Sequence, residues 1–217
     1  MIPKKNLVQI YQKLLKHFGK QYWWPAETRF EVIIGAFLTQ QTNWKNAEIS
    51  IENLKHKNLL DPNSLSISNR DQVEILIKKS GFYRQKAKRI IKFSQYLVNK
   101  YGGSLDKLFC GSKENIRKEL LSLEGIGPET ADSILLYAAD KLSFPIDSYT
   151  IRVCERLGIR ELQYKKLGEF FKNNIPRDLE IYKELHALID MLGKNYCKKK
   201  PLCCRCPLIN ECIYPKK

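Results

Sequence analysis

Apolar positions recur with a helical period along almost the whole chain. Leu7, Ile10, Tyr11, Leu14, Leu15 and Phe18 fall on one helix face, and Gly19 stands where such a helix would stop. From Phe30 to Leu38 the apolar residues lie on every side, which predicts a helix buried at the centre of a bundle. Periodic segments follow at Ala47 to Leu54, Val73 to Ile77, Ala87 to Tyr101, Ile151 to Leu157 and Leu185 to Leu192. No pair of alternating strands joined by a two-residue turn occurs. The pattern predicts an all-α protein with short linkers and no internal repeat.

One interruption of this pattern carries chemistry. Ile116, Leu120, Leu121 and Leu123 give one helix an apolar face, and Ala131, Ile134, Leu135 and Ala138 give a second. Between them stands Gly125-Ile126-Gly127-Pro128-Glu129-Thr130. Glycine permits a tight turn and close backbone approach, while proline is suited to the first position of a helix. Ile126 is therefore expected to tuck inward while the backbone amides point outward, and free amides at a helix start bind an anion. The chain holds 38 Lys plus Arg against 23 Asp plus Glu, a formal charge of +15, so the expected anion is a nucleic-acid phosphate. No apolar run reaches the roughly 18 residues a membrane span needs, and Met1-Ile2-Pro3-Lys4-Lys5 leads into an amphipathic helix rather than a signal peptide. A soluble, intracellular protein of the cytoplasm or nucleoid is expected.

Two further features bear on chemistry. Asp147 precedes Ser148-Tyr149-Thr150 and the helical stretch from Ile151. A carboxylate at a helix start is favoured in its ionised form. It can act simply as an N-cap, or it can stabilise the oxocarbenium character that builds when an N-glycosidic bond breaks. The second feature is the C-terminal cysteines, five of seven, which lie between Cys197 and Cys212. Four thiolates in a reducing compartment suit zinc or an iron-sulfur cluster better than disulfides. Cys197, Cys203, Cys206 and Cys212 are spaced C-x5-C-x2-C-x5-C; Cys204 in place of Cys203 lengthens the first gap and leaves one residue in the second. Cys110 and Cys154 sit in apolar contexts and are expected in the core, and His17, His56 and His186 show no partner spacing and receive no role.

The helix-hairpin-helix with its downstream aspartate resembles the helix-hairpin-helix DNA glycosylases, the superfamily of endonuclease III and the adenine mismatch glycosylase. The resemblance implies a two-domain, all-α glycosylase fold. Residues 28–138 would form a six-helix domain holding the hairpin. Residues 1–27 with 139–217 would form a second helical domain carrying Asp147 and an iron-sulfur loop, with the active-site cleft between the domains. It implies phosphate binding by Gly125, Ile126, Gly127, Glu129 and Thr130, and catalysis by Asp147. It also implies a [4Fe-4S] cluster on Cys197, Cys203, Cys206 and Cys212, with structural zinc as the alternative. The endonuclease III branch has one more residue in the first gap. The implied partner is double-stranded DNA containing a damaged base, bound by a monomer without a membrane.

Departures from the family pattern narrow the substrate. Bifunctional members carry a lysine just before the Thr-Ala of the hairpin, where this chain has Glu129, and a carboxylate forms no imine. Aligning Gln40-Gln41-Thr42 puts Ala36 where the adenine mismatch enzyme has its proton-donating glutamate. A glycosylase lacking both groups suits a base that is already a good leaving group, such as 3-methyladenine. Trp23-Trp24-Pro25 and Trp44 resemble the base pocket of the 3-methyladenine glycosylase branch, and electron-rich rings stack on flipped, cationic bases. Gln40 or Gln41 from one side and the Phe82-Tyr83 turn from the other are expected to enter the base stack. The resemblance thus implies a monofunctional glycosylase of base excision repair acting on alkylated purines. The alternatives are an endonuclease III-like glycosylase, with or without a lyase step at abasic sites, acting on oxidised or deaminated pyrimidines, and a non-catalytic iron-sulfur DNA-binding protein.

Overall fold

The computed structural model describes residues 6–159 and 163–214; the reading of Met1 to Lys5 lies outside the described residues. The chain divides into two compact units, one of residues 1–23 with 142–217 and one of residues 24–141. Trp23 and Trp24 accordingly fall in different units.

The first helix, α1 (Leu7–Phe18), belongs to the divided unit. The continuous unit then supplies α2 (Arg29–Leu38), α3 (Trp44–His56), α4 (Pro62–Ser66), α5 (Arg70–Leu76), α6 (Tyr83–Tyr101), α7 (Leu105–Leu108), α8 (Lys113–Leu121) and α9 (Pro128–Tyr137). The chain returns to the divided unit with α10 (Ser148–Arg156), α11 (Tyr164–Asn174) and α12 (Leu179–Asn195). No strand occurs among the described residues. Six helices of the continuous unit reach seven residues or more, and α4 and α7 are single turns too short to show a period. The pattern missed α11 because Lys165, Lys166 and Gly168 interrupt it, leaving Leu167 and Phe171 as its buried residues.

Polar residues set most helix starts. Asn6, Thr28, Asn43, Asp61, Asn69, Ser112 and Asp178 each accept a backbone N–H from the first turn they precede, which satisfies donors the helix itself cannot. Helix α2 is the centre of its unit: every residue from Phe30 to Leu38 is buried, and α3, α6 and α9 pack around it. Phe93 of α6 stacks on Phe30 and meets Phe37 at 5.8 Å. In the divided unit α12 is the central helix, with α1 and α10 against it. Phe144 stacks on Phe171 at 3.9 Å and presents its edge to Tyr182.

One buried charge organises the continuous unit. Lys86, 2% exposed, donates from Nζ to the carbonyls of Leu38, at 2.8 Å, and Ser80, at 2.6 Å. Burial, aided by the nearby Arg89 charge, brings its pKa down to about 8. A single ammonium thus roots both the turn after α2 and the turn before α6. Lys86→Met strands both carbonyls, each at about 1–3 kcal/mol. The expected result is a melting temperature lower by roughly 5 °C or more in a calorimetric scan; an unchanged melting temperature would show that the carbonyls find other donors.

Candidate active site

In the divided unit the buried segment Phe144-Pro145-Ile146 delivers Asp147 to the start of α10. Asp147 Oδ1 accepts the Thr150 backbone N–H at 2.6 Å, so the residue is the N-cap of α10. Its other oxygen looks toward α12, where His186 Nε2 stands 3.8 Å away. Asp190, one turn beyond His186, completes a group whose polar atoms all lie within 4.8 Å of one another. Only 13% of the Asp147 side chain is exposed, so a substrate could reach the carboxylate while bulk water stays largely excluded.

The three groups are shifted in different directions. Burial opposes ionisation of Asp147, but the hydrogen bond with Asp190, the His186 charge and the Thr150 amide outweigh it and hold its pKa below the usual carboxylate range. Burial and the adjacent Asp147 charge push Asp190 well up, against the smaller pull of Lys194. Burial lowers His186, partly offset by Asp147. These shifts favour the ionised form at Asp147 and disfavour it at Asp190, while burial disfavours the charged form of His186. An anion at Asp147 is suited to stabilise a cation that develops next to it.

His186, which the sequence left without a partner, thus stands beside Asp147. Its four-residue spacing to Asp190 on one helix face was the available signal. Tyr149 is a further residue the sequence did not single out. Its ring lies over α12 where Gly193 has no side chain; a Cβ there would come within 2.3 Å of it. The Arg152 guanidinium stands 5.0 Å and the Lys194 ammonium 5.8 Å from the ring centre.

In the continuous unit the hairpin precedes α9. Gly125 has φ +87°, which favours glycine, and a Cβ on it would clash with the Arg89 side chain at 2.3 Å. Ile126 is buried, Pro128 is the first residue of α9, and no side chain caps that helix. Glu129 is exposed and Thr130 half-buried. Gln40 is committed to this hairpin, since its Nε2 donates to the Gly125 carbonyl at 2.9 Å and to Thr130 Oγ1 at 3.1 Å. Gln41 is exposed, with φ +55°. Phe82, the residue before α6, has φ +46° and is 62% exposed. Tyr83 begins α6 with the Arg84 guanidinium 5.7 Å from its ring centre.

The aromatic residues fall in two places. Trp24 meets Trp44 edge-to-face at 5.7 Å and Tyr137 at 5.5 Å, all within the continuous unit. Gly35 on α2 makes room for this cluster, because a Cβ there would lie 3.1 Å from Trp24 Nε1. Tyr137 and Gly35 are additions the linear pattern did not reveal. Pro25 and Trp44 line an adjoining recess of about 270 Å³. Trp23, in the divided unit, has the Lys194 ammonium 5.7 Å from its ring centre.

The cysteine loop follows α12. Cys197 is buried, Cys203, Cys206 and Cys212 are half-buried, and Cys204 is exposed. Burial raises the Cys206 thiol, and Cys197, Cys212 and Cys203 are close enough to raise it further. Arg156 Nη1 donates to Cys197 Sγ at 3.2 Å, and the Cys212 thiol donates to the Arg156 carbonyl at 3.2 Å. Among the described residues no three of the sulfurs lie within 4.8 Å of one another. Cys154 is buried as expected, whereas Cys110 is exposed: the turn after α7 leaves it at the surface, a correction to its placement in the core.

A helical fold without strands among the described residues, a glycine hairpin entering a helix and a largely buried carboxylate at a helix start are the features expected of a base-excision DNA glycosylase, and the comparisons with known proteins show that class. Residues 34–177 match the family model of the HhH-GPD superfamily base excision DNA repair proteins, and the chain belongs to that superfamily. The chain is 46% identical over 211 residues to "Putative DNA repair glycosylase MJ1434" of Methanocaldococcus jannaschii, covering 95% of this chain and 96% of that one. It is 31% identical to endonuclease III of Thermotoga maritima, over 96% and 93% of the two chains. Among solved structures, H. pylori 3-methyladenine DNA glycosylase bound to 1,N6-ethenoadenine matches with TM-score 0.76 and 27% identity, over 87% of this chain and 95% of that one. No helix of the described residues is long and apolar enough to cross a membrane.

Proposed function

We propose that this glycosylase is monofunctional and hydrolyses the N-glycosidic bond of alkylated purines such as 3-methyladenine in double-stranded DNA. The observation that carries the hydrolytic reading is the ionised, nearly dry Asp147 carboxylate at the start of α10. As the bond between the sugar C1′ and the base nitrogen breaks, its electron pair leaves with the base and the sugar gains oxocarbenium character, which the Asp147 charge stabilises. Water forms the new C1′–O bond and gives a proton to the carboxylate. A cationic alkylated base leaves neutral, so no general acid is required. Glu129, on α9, supplies no amine for an imine and hence no β-lyase step.

The remaining residues are assigned to DNA. The first turn of α9 and Gly125 to Gly127 would bind a backbone phosphate, with Glu129 and Thr130 in the same turn. Gln41 and Phe82 would enter the base stack: both are exposed, and both hold a left-handed backbone, which costs about 1–3 kcal/mol and is retained mainly at functional positions. Gln40 would hold the hairpin and Tyr83 would support Phe82. Trp24, Pro25 and Trp44, backed by Tyr137, would receive the flipped base. Likeness to the H. pylori enzyme supports this choice of base. Cys197, Cys203, Cys206 and Cys212 would hold a [4Fe-4S] cluster, which when bound braces the basic loop after α12. The protein would act as an intracellular monomer.

The testing experiment incubates purified protein with methylated duplex DNA, a duplex carrying uracil and a duplex carrying an oxidised pyrimidine, and resolves the released bases by chromatography. Release of 3-methyladenine alone is expected, with no borohydride-trapped adduct. Release of uracil or the oxidised pyrimidine in its place would overturn the substrate, and a trapped adduct would overturn the monofunctional reading.

A further inference from the structure

The start of α10 and the α12 face bring the carboxyl groups of Asp147 and Asp190 together in a place largely closed to water. Asp190 Oδ2 accepts from Lys194 Nζ at 3.2 Å. Its Oδ1 is fully enclosed, and no donor of the protein reaches it. An oxygen of each side chain and a ring nitrogen of His186 all lie within 4.8 Å of one another. Two ionised carboxylates cannot face each other there without a proton between them, because burial removes the water that would screen their repulsion.

The surroundings decide which carboxyl carries that proton. Asp147 accepts the Thr150 amide and sits at a helix start, both of which favour its charge. Asp190 has only Lys194, whose side chain is 38% exposed and therefore screened by solvent. Among the described residues the other titratable groups that reach the pair are His186 from α12 and Cys154 from α10. Burial disfavours the charged form of each. Helix α1, also packed on α12, turns His17 toward the Tyr196 hydroxyl instead.

We propose that Asp190 is a positioning residue: its carboxyl carries the single proton of the pair, donates it to Asp147, and so fixes the Asp147 carboxylate in its charged form and in one orientation. The inference rests on the reading of Asp147 as the catalytic carboxylate. It implies an asymmetric pair that titrates as a unit, one proton leaving at low pH and the second staying bound through neutrality.

Two variants and one spectroscopic measurement test it. Asparagine at this position still donates to Asp147 but cannot titrate, whereas leucine removes the donor. In single-turnover base release from whichever duplex of the panel above is cleaved, Asp190→Asn is expected within about threefold of the parent, and Asp190→Leu is expected to lose about tenfold or more. The acid limb of the Asp190→Leu pH–rate profile should move up by about one unit, because Asp147 then faces burial without its donor. Carbon-13 carboxyl titration of the parent protein should show one buried carboxyl that stays protonated at neutral pH and disappears in Asp190→Asn. The titration decides the matter even where Asp190→Leu does not fold.

An unmoved acid limb in a folded Asp190→Leu, or two carboxyls that both ionise in the ordinary range, would overturn the proposal. Asp147→Asn in the same assay separates the two levels. Its loss of turnover keeps the catalytic reading whatever the Asp190 variants do, and full turnover overturns the catalytic reading and the positioning role together.

Discussion

Asp147→Asn is expected to reduce base release by about 10³-fold or more while leaving the melting temperature and DNA affinity close to those of the parent. The substitution is nearly isosteric, and the amide oxygen can still accept the Thr150 N–H that starts α10. What disappears is the negative charge, the one feature able to stabilise an oxocarbenium ion. The excluded solvent makes that loss large, since electrostatic interactions weaken steeply with dielectric. Single-turnover kinetics beside a duplex-binding titration would check it. Retained turnover with intact folding would place the chemistry elsewhere.

The same pair gives stability a pH dependence whose sign follows from the direction of each shift. Asp147 has a folded pKa below its unfolded value, so its contribution is present above the unfolded pKa and is lost as pH falls through the folded one. Asp190 is shifted up, so its contribution is present below the unfolded pKa and is lost as pH rises toward the folded one. Asp190→Asn should therefore compare more favourably with the parent at pH 7 than at pH 4.

The second large effect is expected from two adjacent cysteines that behave differently. Cys203→Ser should abolish the visible charge-transfer absorbance of the cluster and lower the melting temperature by about 10 °C or more, because ligand binding and folding of the loop are one free energy. Cys204→Ser should leave both unchanged. Cys203 is half-buried and influences Cys206, as do Cys197 and Cys212, while Cys204 is exposed on the same short turn. The opposite pattern would make Cys204 the second ligand and would restore the longer first gap of the endonuclease III branch. Loss of absorbance in neither variant would mean that the loop holds no cluster through this position.

Several elements were legible because their signals are local. The glycine hairpin combines a turn that needs positive φ at Gly125 with a proline suited to open α9. Helix α2 announced itself by being apolar on all sides, and Asp147 by standing just ahead of the helical stretch from Ile151. Five cysteines crowd into a short C-terminal stretch, so spacing nominated a metal-binding loop, and the resemblance to the endonuclease III branch chose Cys197, Cys203, Cys206 and Cys212 within it. Helix starts were less visible. Helix α6 opens at Tyr83 with a polar first turn, and α12 opens at Leu179 behind the Asp178 cap, both upstream of where the apolar period begins.

By itself, then, the sequence determined the helical class, the hairpin, the capping aspartate and the cysteine set, since each depends on residues within a few positions of one another and on backbone preferences that do not await the rest of the chain. Tertiary structure alone decided that His186 and Asp190 stand against Asp147, that Tyr137 and Gly35 complete the setting of Trp24, and that Lys86 ties Leu38 to Ser80. A four-residue spacing says that His186 and Asp190 share a helix face, but not whether that face meets solvent, another helix or a carboxylate. The charge states follow the same division. Whether a carboxyl is ionised depends on how much water folding removes and which dipoles it brings near, quantities that exist only once residues far apart in the chain have packed together.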